Sequence, residues 1–409
     1  MEEVDLSEGR YDAVVVGAGF AGSVIARELA ERAGKKVLLI ERRDHVGGNA
    51  YDLKDPNGIL YHLYGPHIFH TKNERVYRYL SRFTEWLDYQ HKVVANVHGT
   101  FLPVPFNKHS ILTVFGSGRG QALIDKLIAT YGDGARVPII ELRNSNDPDL
   151  HELADYIYEN IFLHYTMKQW GLAPEEVDPS VTARVPVLVS DDDRYFQDAY
   201  QGMPKDGYTP VFNALLDHPN ITLKLSTDAS SLLGLLDGQG RDATSDPAAG
   251  PVVRATLDGQ PYEGAIVFTG AIDELLCRRF GPLPYRSLRF ELELLDQDRF
   301  QPTATVNYTV SEDFTRITEW KQLTAQEVPG KTLITREYPQ AYVPNAGMTP
   351  YYAILSDENN AIYQRYTDML AGLPGFYLLG RLAEYRYYNM DVIVGRALEL
   401  ADSIIGDRA

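Results

Sequence analysis

Residues 11–22 read Tyr-Asp-Ala-Val-Val-Val-Gly-Ala-Gly-Phe-Ala-Gly, and the fold is predicted mainly from this segment. The β-branched run at 13–16 predicts a short buried strand of a parallel sheet. Gly17, Gly19 and Gly22 follow with the spacing of a dinucleotide-binding turn: the first allows the tight turn, the second lets the backbone approach a pyrophosphate, and the third lets a helix pack closely on the strand. Because the helix N-terminus also favours phosphate charge, we predict that these glycines and Phe20 hold a dinucleotide.

The segment that follows completes a dinucleotide-binding unit. Residues 23–32 have helical periodicity, residues 36–40 read as a second strand, and Glu41 lies 19 residues after Gly22, where an acid can bind ribose hydroxyls. A glycine triplet alone is weak evidence, but here the strand, helix, second strand and acid occur in order. The sequence therefore predicts dinucleotide binding rather than a chance glycine turn.

Three further segments indicate that the dinucleotide is FAD. Residues 42–49 (Arg-Arg-Asp-His-Val-Gly-Gly-Asn) resemble the equivalent part of FAD-binding oxidases, which implies that Arg42, Gly48 and Asn49 face the cofactor. Later strands at 265–270 and 376–381 end in Thr-Gly and Gly-Arg, and an amphipathic helix at 392–405 closes the chain. Such enzymes return the chain to the first domain late in the sequence, so the cofactor domain is expected to be discontinuous.

We predict an α/β fold: a Rossmann-like FAD-binding domain with an inserted helical domain and an antiparallel β-sheet domain. Helical patterns at 123–131 and 150–167 define the inserted part, whereas residues 285–338 alternate as antiparallel strands do. The predicted domains are 1–106 with part of 187–284 and 372–409 for FAD, 107–186 for the helical substrate domain, and 285–371 for the sheet.

Composition limits the function classes. The net charge of −17 over 409 residues disfavours binding to nucleic acid and anionic lipid. No apolar run approaches the ~18 residues of a membrane helix, and residues 1–10 lack the features of a signal peptide. The single cysteine, Cys277, reads as a buried thiol in a helix at 273–280, and with no intrachain disulfide possible we expect a cytoplasmic protein.

Several strings, in order along residues 11–400, give the chain a specific resemblance. They are 64–70 (Tyr-Gly-Pro-His-Ile-Phe-His), 105–107 (Pro-Phe-Asn), 165–171 (Tyr-Thr-Met-Lys-Gln-Trp-Gly), 183–186 (Ala-Arg-Val-Pro), 195–196 (Tyr-Phe), 201–204 (Gln-Gly-Met-Pro), 315–319 (Thr-Arg-Ile-Thr-Glu), 380–381 (Gly-Arg) and 385–391 (Tyr-Arg-Tyr-Tyr-Asn-Met-Asp). The chain is similar to UDP-galactopyranose mutases through these strings. Composition and spacing alone predict only a flavoprotein.

The resemblance implies an isomerase that interconverts UDP-galactopyranose and UDP-galactofuranose without net redox. Reduced FAD would act as a nucleophile, with flavin N5 forming a covalent adduct to the sugar while UDP leaves and returns. The implied partners are the two UDP-sugars and UDP. A homo-oligomer, dimer or higher, is common in the family.

The resemblance also assigns site residues. It implies a catalytic set of Arg184, Arg316 and His67, with the arginines on the substrate pyrophosphate and His67 at the isoalloxazine edge. The implied substrate residues are Tyr165, Trp170, Tyr195, Phe196, Asn96, Asn307, Tyr352, Tyr387 and Asn389, and many relatives carry Asp at this last position. The further cofactor residues are Gly65, Arg381 and Met390. We predict no metal site, and we expect residues 173–186 to be a mobile lid that carries Arg184.

Two other functions fit the cofactor fingerprint. A flavin-dependent amine oxidase or desaturase would share the fold but would need an apolar or amine-binding pocket in place of paired arginines. A flavin-binding protein without catalysis would have no affinity for UDP.

Overall fold

A five-stranded parallel sheet lies at the centre of the computed structural model, which describes residues 11–172 and 186–406. Its strands, in spatial order, are Ile221–Lys224, β2 (Val37–Ile40), β1 (Ala13–Val16), Ala265–Phe268 and Phe376–Leu378. Ala13 pairs with Val37 on one side and with Ala265 on the other. The predicted strands at 13–16, 36–40 and 265–270 are therefore neighbours, and the chain returns to the sheet as expected.

Helix α1 (Phe20–Ala33) packs on this sheet through the third glycine of the fingerprint. A Cβ at Gly22 would lie 1.8 Å from the carbonyl oxygen of Gly17, so only glycine permits this approach. On its outer side α1 packs against the last helix, Met390–Gly406. Buried residues of both helices and of β1 form one hydrophobic core.

A second, seven-stranded sheet stands beside the first. Its order is Tyr352–Ala353, Tyr285–Leu295, Thr332–Ala341, Arg316–Glu319, Thr305–Tyr308, Val93–Val97 and Thr100–Val104. Neighbouring strands are antiparallel, as the alternation at 285–338 predicts, except that Thr305–Tyr308 pairs in parallel with Val93–Val97. The strands at 93–104 lie in the predicted cofactor segment, yet they hydrogen-bond to the sheet of residues 285–371.

The inserted segment is helical, as its periodicity predicts. It contains Lys108–Tyr131, Ile139–Arg143, Pro148–Ile157, a π-helical stretch Tyr158–Leu163 and His164–Trp170, with a short strand pair Arg136–Val137 and Val187–Leu188. Its apolar residues form a core with the hairpin at 93–104. The predicted lid at 173–186, with Arg184, lies outside the described residues except for Pro186.

Smaller elements complete the fold. The strands are Asp52–Lys54 with Leu60–His62, Phe69–Thr71 with Tyr200–Pro204 and Trp86–Leu87, and Leu233–Asp237 with Val252–Leu257 and Gln260–Tyr262. The remaining helices of the described residues are Glu74–Leu80, Tyr208–Leu216, Ile272–Leu275, Trp320–Thr324 and Asp357–Leu370, with short 3-10 turns at Gly48–Ala50 and Ala229–Ser231. Among the residues described, no helix is both long and apolar enough to cross a membrane.

The prediction for Cys277 is wrong. The helix ends at Leu275, and Cys277 has a left-handed backbone with φ 57°. The thiol is exposed, and its Sγ lies 2.5 Å from the carbonyl oxygen of Thr244. Because residues 273–280 are all compatible with a helix, the sequence pattern did not predict that the chain turns here and leaves the parallel sheet.

Candidate active site

A cavity of about 530 Å³ opens at the carboxyl ends of β1, β2 and the strand Ala265–Phe268. Gly17, Gly19 and Phe20 line it, as the fingerprint predicts. Helix α1 begins there, and its N-cap, Gly19, has no side chain to occupy the free backbone N–H groups. These N–H groups and the helix dipole favour a phosphate at this point.

Glu41 is fixed at the same edge of the sheet. Its carboxylate is 6% exposed and accepts the backbone N–H of Ala18 at 2.8 Å and that of Arg43 at 2.9 Å. These bonds hold the side chain while leaving lone pairs for ribose hydroxyls. Glu41 therefore marks the end of the cavity that suits the ribose of a nucleotide.

Residues from distant segments form the wall of that end, and the sequence analysis missed them. They are Thr227, Asp228, Ala229, Ser230, Thr244, Glu274, Arg278 and Asn345. Thr244 belongs to a polar, glycine-rich stretch that reads as a plain surface loop. No local pattern marks such residues, because they meet the cavity only through the folded arrangement of the sheets.

Two neighbouring arginines face the cavity differently. Arg42 is 50% exposed and donates to Glu274 across the rim at 2.9 Å. Arg43 donates to Asn49 Oδ1 at 3.0 Å, lies 4.2 Å from the Tyr64 ring centre, and keeps Nη1 buried without a hydrogen-bond partner among the described residues. An unmet buried donor costs about 1–3 kcal/mol, which an anionic ligand would offset. Arg43, which the sequence analysis did not select, thus suits a phosphate better than the predicted Arg42.

The other end of the cavity carries His67, predicted at the flavin edge, together with other residues predicted for the cofactor or the substrate. His67, Arg381, Asn389 and Met390 line it, so Asn389, predicted for substrate, faces the cofactor cavity. His67 Nδ1 lies 2.8 Å from the carbonyl oxygen of Gly65. Burial lowers the pKa of His67 to about 3, so its imidazole is neutral.

A row of side chains crosses one face of the seven-stranded sheet. Arg316 lies directly opposite Asn307 on one neighbouring strand and Glu337 on the other, so the three side chains project from the same face. Arg316 Nε and Nη2 contact Glu337 Oε1 at 3.1 and 3.0 Å, and the Glu337 side chain is 3% exposed. The carboxylate fixes one side of the guanidinium and leaves its other N–H groups for an anion.

Gly65 connects this row to the cofactor cavity. A Cβ at Gly65 would lie 3.0 Å from the Phe290 ring and 3.7 Å from Glu337 Oε2, and its φ of +91° is one that favours glycine. His67, which lines the cavity, follows two residues later. The turn therefore separates the Arg316 row from the cavity by little more than its own backbone. Gly65 shapes this turn, and like Gly22 it acts through packing.

Tyrosines surround the guanidinium of Arg316. Tyr165, Tyr195 and Tyr352 lie close enough to interact with its charge. Loss of solvent contact raises the pKa of Tyr165 to about 12, so its hydroxyl stays protonated and can donate to a phosphate oxygen. The structure thus brings together residues that are far apart in sequence, as predicted.

A second set of rings extends from this group to the cavity. The Trp170 ring centre lies 5.7 Å from that of Tyr352, which stacks on Tyr387 at 5.6 Å. The guanidinium of Arg381 lies 4.5 Å from the Tyr387 ring centre, and its Nη2 is buried with no hydrogen-bond partner in the described part of the chain. Arg381 therefore belongs both to the cavity wall and to the aromatic cluster.

Phe196 and Tyr195 form the remaining predicted pocket. Their ring centres are 4.8 Å apart, and Phe196 stacks at 3.5 Å on His70. His70 in turn contacts Asp198, with 2.5 Å between Nδ1 and Oδ2. His70 thus supports Phe196.

The prediction that Asn96 binds substrate is wrong. Asn307 lies opposite Ala95, and because side chains alternate along a strand, Asn96 projects from the sheet face opposite to Arg316. Its Oδ1 accepts the backbone N–H of Gly99 at 2.8 Å. Asn96 therefore stabilises the hairpin turn.

Family models match two segments of the chain. A family model described as UDP-galactopyranose mutase matches residues 160–387, and one described as an NAD(P)-binding Rossmann-like domain matches residues 15–83. The first match covers the aromatic residues and the Arg316 row. The second covers β1, α1 and β2.

Individual relatives match nearly the whole chain. The probable UDP-galactopyranose mutase of Klebsiella pneumoniae is 35% identical over 97% of this chain and 95% of its own. The dTDP-fucopyranose mutase of Escherichia coli is 34% identical over 96% and 98%. A crystal structure of reduced UDP-galactopyranose mutase matches with a TM-score of 0.64 at 16% identity, over 97% and 94% of the two chains, which supports the fold. The chain therefore belongs to the UDP-galactopyranose mutase family, a family of isomerases.

Proposed function

We propose that this enzyme interconverts UDP-galactopyranose and UDP-galactofuranose, with FAD in the cavity and the nucleotide sugar on the Arg316 row. The observation that carries the proposal is the position of Arg316 and Glu337 directly across the Gly65–His67 turn from the cofactor cavity. A cation that binds a diphosphate here holds the attached sugar beside the flavin end.

The cavity suits FAD. The free N-terminus of α1 accepts a pyrophosphate, Glu41 accepts ribose hydroxyls, and the unmet donors of Arg43 and Arg381 await acceptors. We assign to the cofactor the residues Gly17, Gly19, Phe20, Glu41, Arg42, Gly48, Asn49, His67, Arg381 and Met390, with Arg43 added. When bound and reduced, FAD supplies a nucleophilic nitrogen for the anomeric carbon of the sugar.

The protein has three tasks toward the substrate. Arg316 neutralises the pyrophosphate in the ground state and again as UDP leaves, and Glu337 holds the guanidinium in place for both. Tyr352 lies beside Arg316 and stacks on Tyr387, and both rings carry hydroxyl groups that can donate. The aromatic residues Tyr165, Trp170, Tyr195 and Phe196 bind the base and sugar rings through apolar contact.

The residues that close the site remain predictions. Arg184 is proposed as the second pyrophosphate arginine, carried on a lid at 173–186. Closure should reduce proteolysis of this lid when UDP is added, and equal cleavage with and without UDP would reject it. A cytoplasmic location and a homo-oligomeric state also remain predictions.

An oxidase or desaturase on the same fold is less well supported. Its substrate pocket would hold an amine or an apolar chain, whereas Arg316 and the tyrosine hydroxyls present donors to an anion. The mutase relatives also match this chain over nearly its full length.

Anaerobic turnover tests the proposal. Holoenzyme reduced with dithionite should convert UDP-galactofuranose to UDP-galactopyranose, with chromatography of the sugars and the flavin spectrum recorded together. We expect conversion with the flavin still reduced, and none with oxidised enzyme. In the reaction with oxidised enzyme, oxidation of the sugar with one flavin reduced per sugar oxidised would support the oxidase instead. Parallel reactions with dTDP-fucopyranose test whether the substrate is the one acted on by the Escherichia coli relative.

A further inference from the structure

A second histidine lies directly behind His67. His62 ends the strand Leu60–His62, is 2% exposed, and its Nδ1 lies 3.0 Å from the backbone nitrogen of His67. A backbone N–H can only donate, so His62 Nδ1 must carry a lone pair. Burial lowers the pKa of His62 to about 3, which keeps the ring neutral with its proton on Nε2.

The mechanism proposed above does not use His62. Its Nε2 is buried without a hydrogen-bond partner among the described residues, and its ring centre lies 5.0 Å from Trp320 and 5.5 Å from Tyr208. An imidazole ring that is buried among aromatic side chains with one N–H donor unpaired lowers the stability of the fold. Its one directed contact, to the backbone of His67, closes the turn that contains Gly65.

The same turn fixes the ring of His67. The carbonyl oxygen of Gly65 can only accept, so the proton of the neutral His67 ring lies on Nδ1. Gly65 cannot move freely, because the Phe290 ring is within 3.0 Å of the place where a Cβ would stand. The nitrogen of His67 left to meet a ligand, Nε2, is therefore an acceptor at the cavity wall.

We propose that His62 is a positioning residue that holds His67 with an unprotonated Nε2 toward the flavin. The part of this inference that concerns flavin rests on the proposed function. Reduction of a flavin adds an N–H donor to the ring system, whereas the oxidised ring offers a lone pair at that nitrogen. A neutral acceptor from the protein binds the first and disfavours the second, so His62 acts through His67 to favour reduced flavin.

The tautomer can be tested without cofactor. Long-range ¹H–¹⁵N spectra of the apoprotein, with the His67 signals assigned from His67→Gln, should show the proton of His67 on Nδ1. In His62→Phe, which keeps a ring but has no acceptor, the His67 signals should move toward a mixture of tautomers. His62→Asn places an acceptor near the same N–H and should restore the wild-type pattern. A wild-type proton on Nε2 would overturn the proposal outright.

The effect on the flavin is measured as the midpoint reduction potential of the wild-type and variant holoenzymes. We expect His62→Phe to lose about tenfold in its preference for reduced over oxidised flavin, about 30 mV for a two-electron couple. His62→Asn and His98→Asn, an exposed control, should stay near wild type. Equal potentials in folded His62→Phe and wild type would reject the role. If His62→Phe does not fold, His62→Gln replaces it, because its amide does not place an acceptor at the Nδ1 position. A wild-type protein that binds no flavin would reject the proposed function, while the apoprotein spectra would still decide the role of His62.

Discussion

The nucleotide end and the substrate end of the site are formed by different kinds of group. At the nucleotide end, consecutive residues of β1 and α1 offer backbone N–H groups, and the geometry is set by glycines a few residues apart. At the substrate end, Arg316, Glu337 and Asn307 come from three strands, and the surrounding rings come from still other segments. The nucleotide end therefore depends on local packing, whereas the substrate end depends on the register of a sheet.

The largest effect is expected where local packing leaves no room. Gly22→Ala would place its Cβ 1.8 Å from the backbone oxygen of Gly17, which cannot move without separating α1 from β1. We expect a loss of about 3 kcal/mol or more in the free energy of unfolding, at the upper end for overpacking, together with loss of bound FAD. Urea unfolding and flavin content measure both.

Gly118→Ala is the matched control for that substitution. Gly118 lies in a helix, and a Cβ added there would have no atom within 4 Å, so the variant should be unchanged or up to about 1 kcal/mol more stable. If both variants lost similar amounts of unfolding free energy, the loss would follow from replacing any glycine and not from the contact between α1 and β1.

The next prediction concerns Arg316, in the row of side chains on the seven-stranded sheet. Arg316→Ala should weaken UDP binding about 10- to 100-fold, the equivalent of about 1.5–3 kcal/mol for a charge-assisted contact, and leave FAD content unchanged. Arg336→Ala is the control, because Arg336 precedes Glu337 on the strand, projects from the other face and pairs with Glu293. Calorimetric titration with UDP gives both affinities. Equal losses in the two variants would contradict the assignment of the binding face.

Acid should destabilise the folded protein through three buried histidines: His62 and His67 at the Gly65 turn, and His91, whose ring packs against Tyr195 and Phe196. Burial lowers the pKa values of His62, His67 and His91 to about 3. Above the unfolded pKa of about 6.5 their contribution is fully present, and as pH falls from there toward 3 the unfolded state binds protons that the folded state does not. Each histidine should cost about 1.4 kcal/mol per pH unit in that window.

The slope of unfolding free energy against pH between 4 and 6 measures this effect. His91→Phe should lower the proton uptake on unfolding by about one at pH 5, whatever it does to overall stability. An unchanged slope in this variant would show that His91 is protonated in the folded protein.

The smallest effect separates the adjacent arginines of the nucleotide end. Arg43→Ala removes a buried guanidinium with an unmet donor and should weaken FAD binding about tenfold, or about 1.4 kcal/mol. Arg42→Ala breaks an exposed ion pair, worth about 0.2–1 kcal/mol, and should change the affinity by less than about fivefold. FAD titration of the apoprotein by fluorescence ranks them, and the reverse order would show that Arg42 contributes more than Arg43 to FAD binding.

The contrast between the ends explains what could be predicted from the sequence. The glycines, Glu41 and the order of β1, α1 and β2 are local features, so spacing alone predicts them. Arg316 stands at the start of a four-residue strand, and only the family resemblance distinguished it from any surface arginine. Its partner Glu337 was not predicted, because the pairing depends on strand register.

Alternation along a strand accounts for one of the errors. Asn96 was placed in the substrate site, but Ala95 is the residue that shares a face with Asn307. Arg42 and Arg43 both follow the end of β2 at Ile40, so strand alternation does not decide between them, and both line the cavity. Thr244 and Asn345 carry no such signal, since they reach the cavity only in the folded chain.

A crystal structure of the reduced holoenzyme with UDP tests the central claim most directly, because it shows both ends of the site at once. We expect the FAD pyrophosphate at the N-terminus of α1, the flavin edge beside His67, and the UDP diphosphate in contact with the Arg316 guanidinium. UDP bound away from Arg316, or a flavin ring that does not reach His67, would contradict this claim.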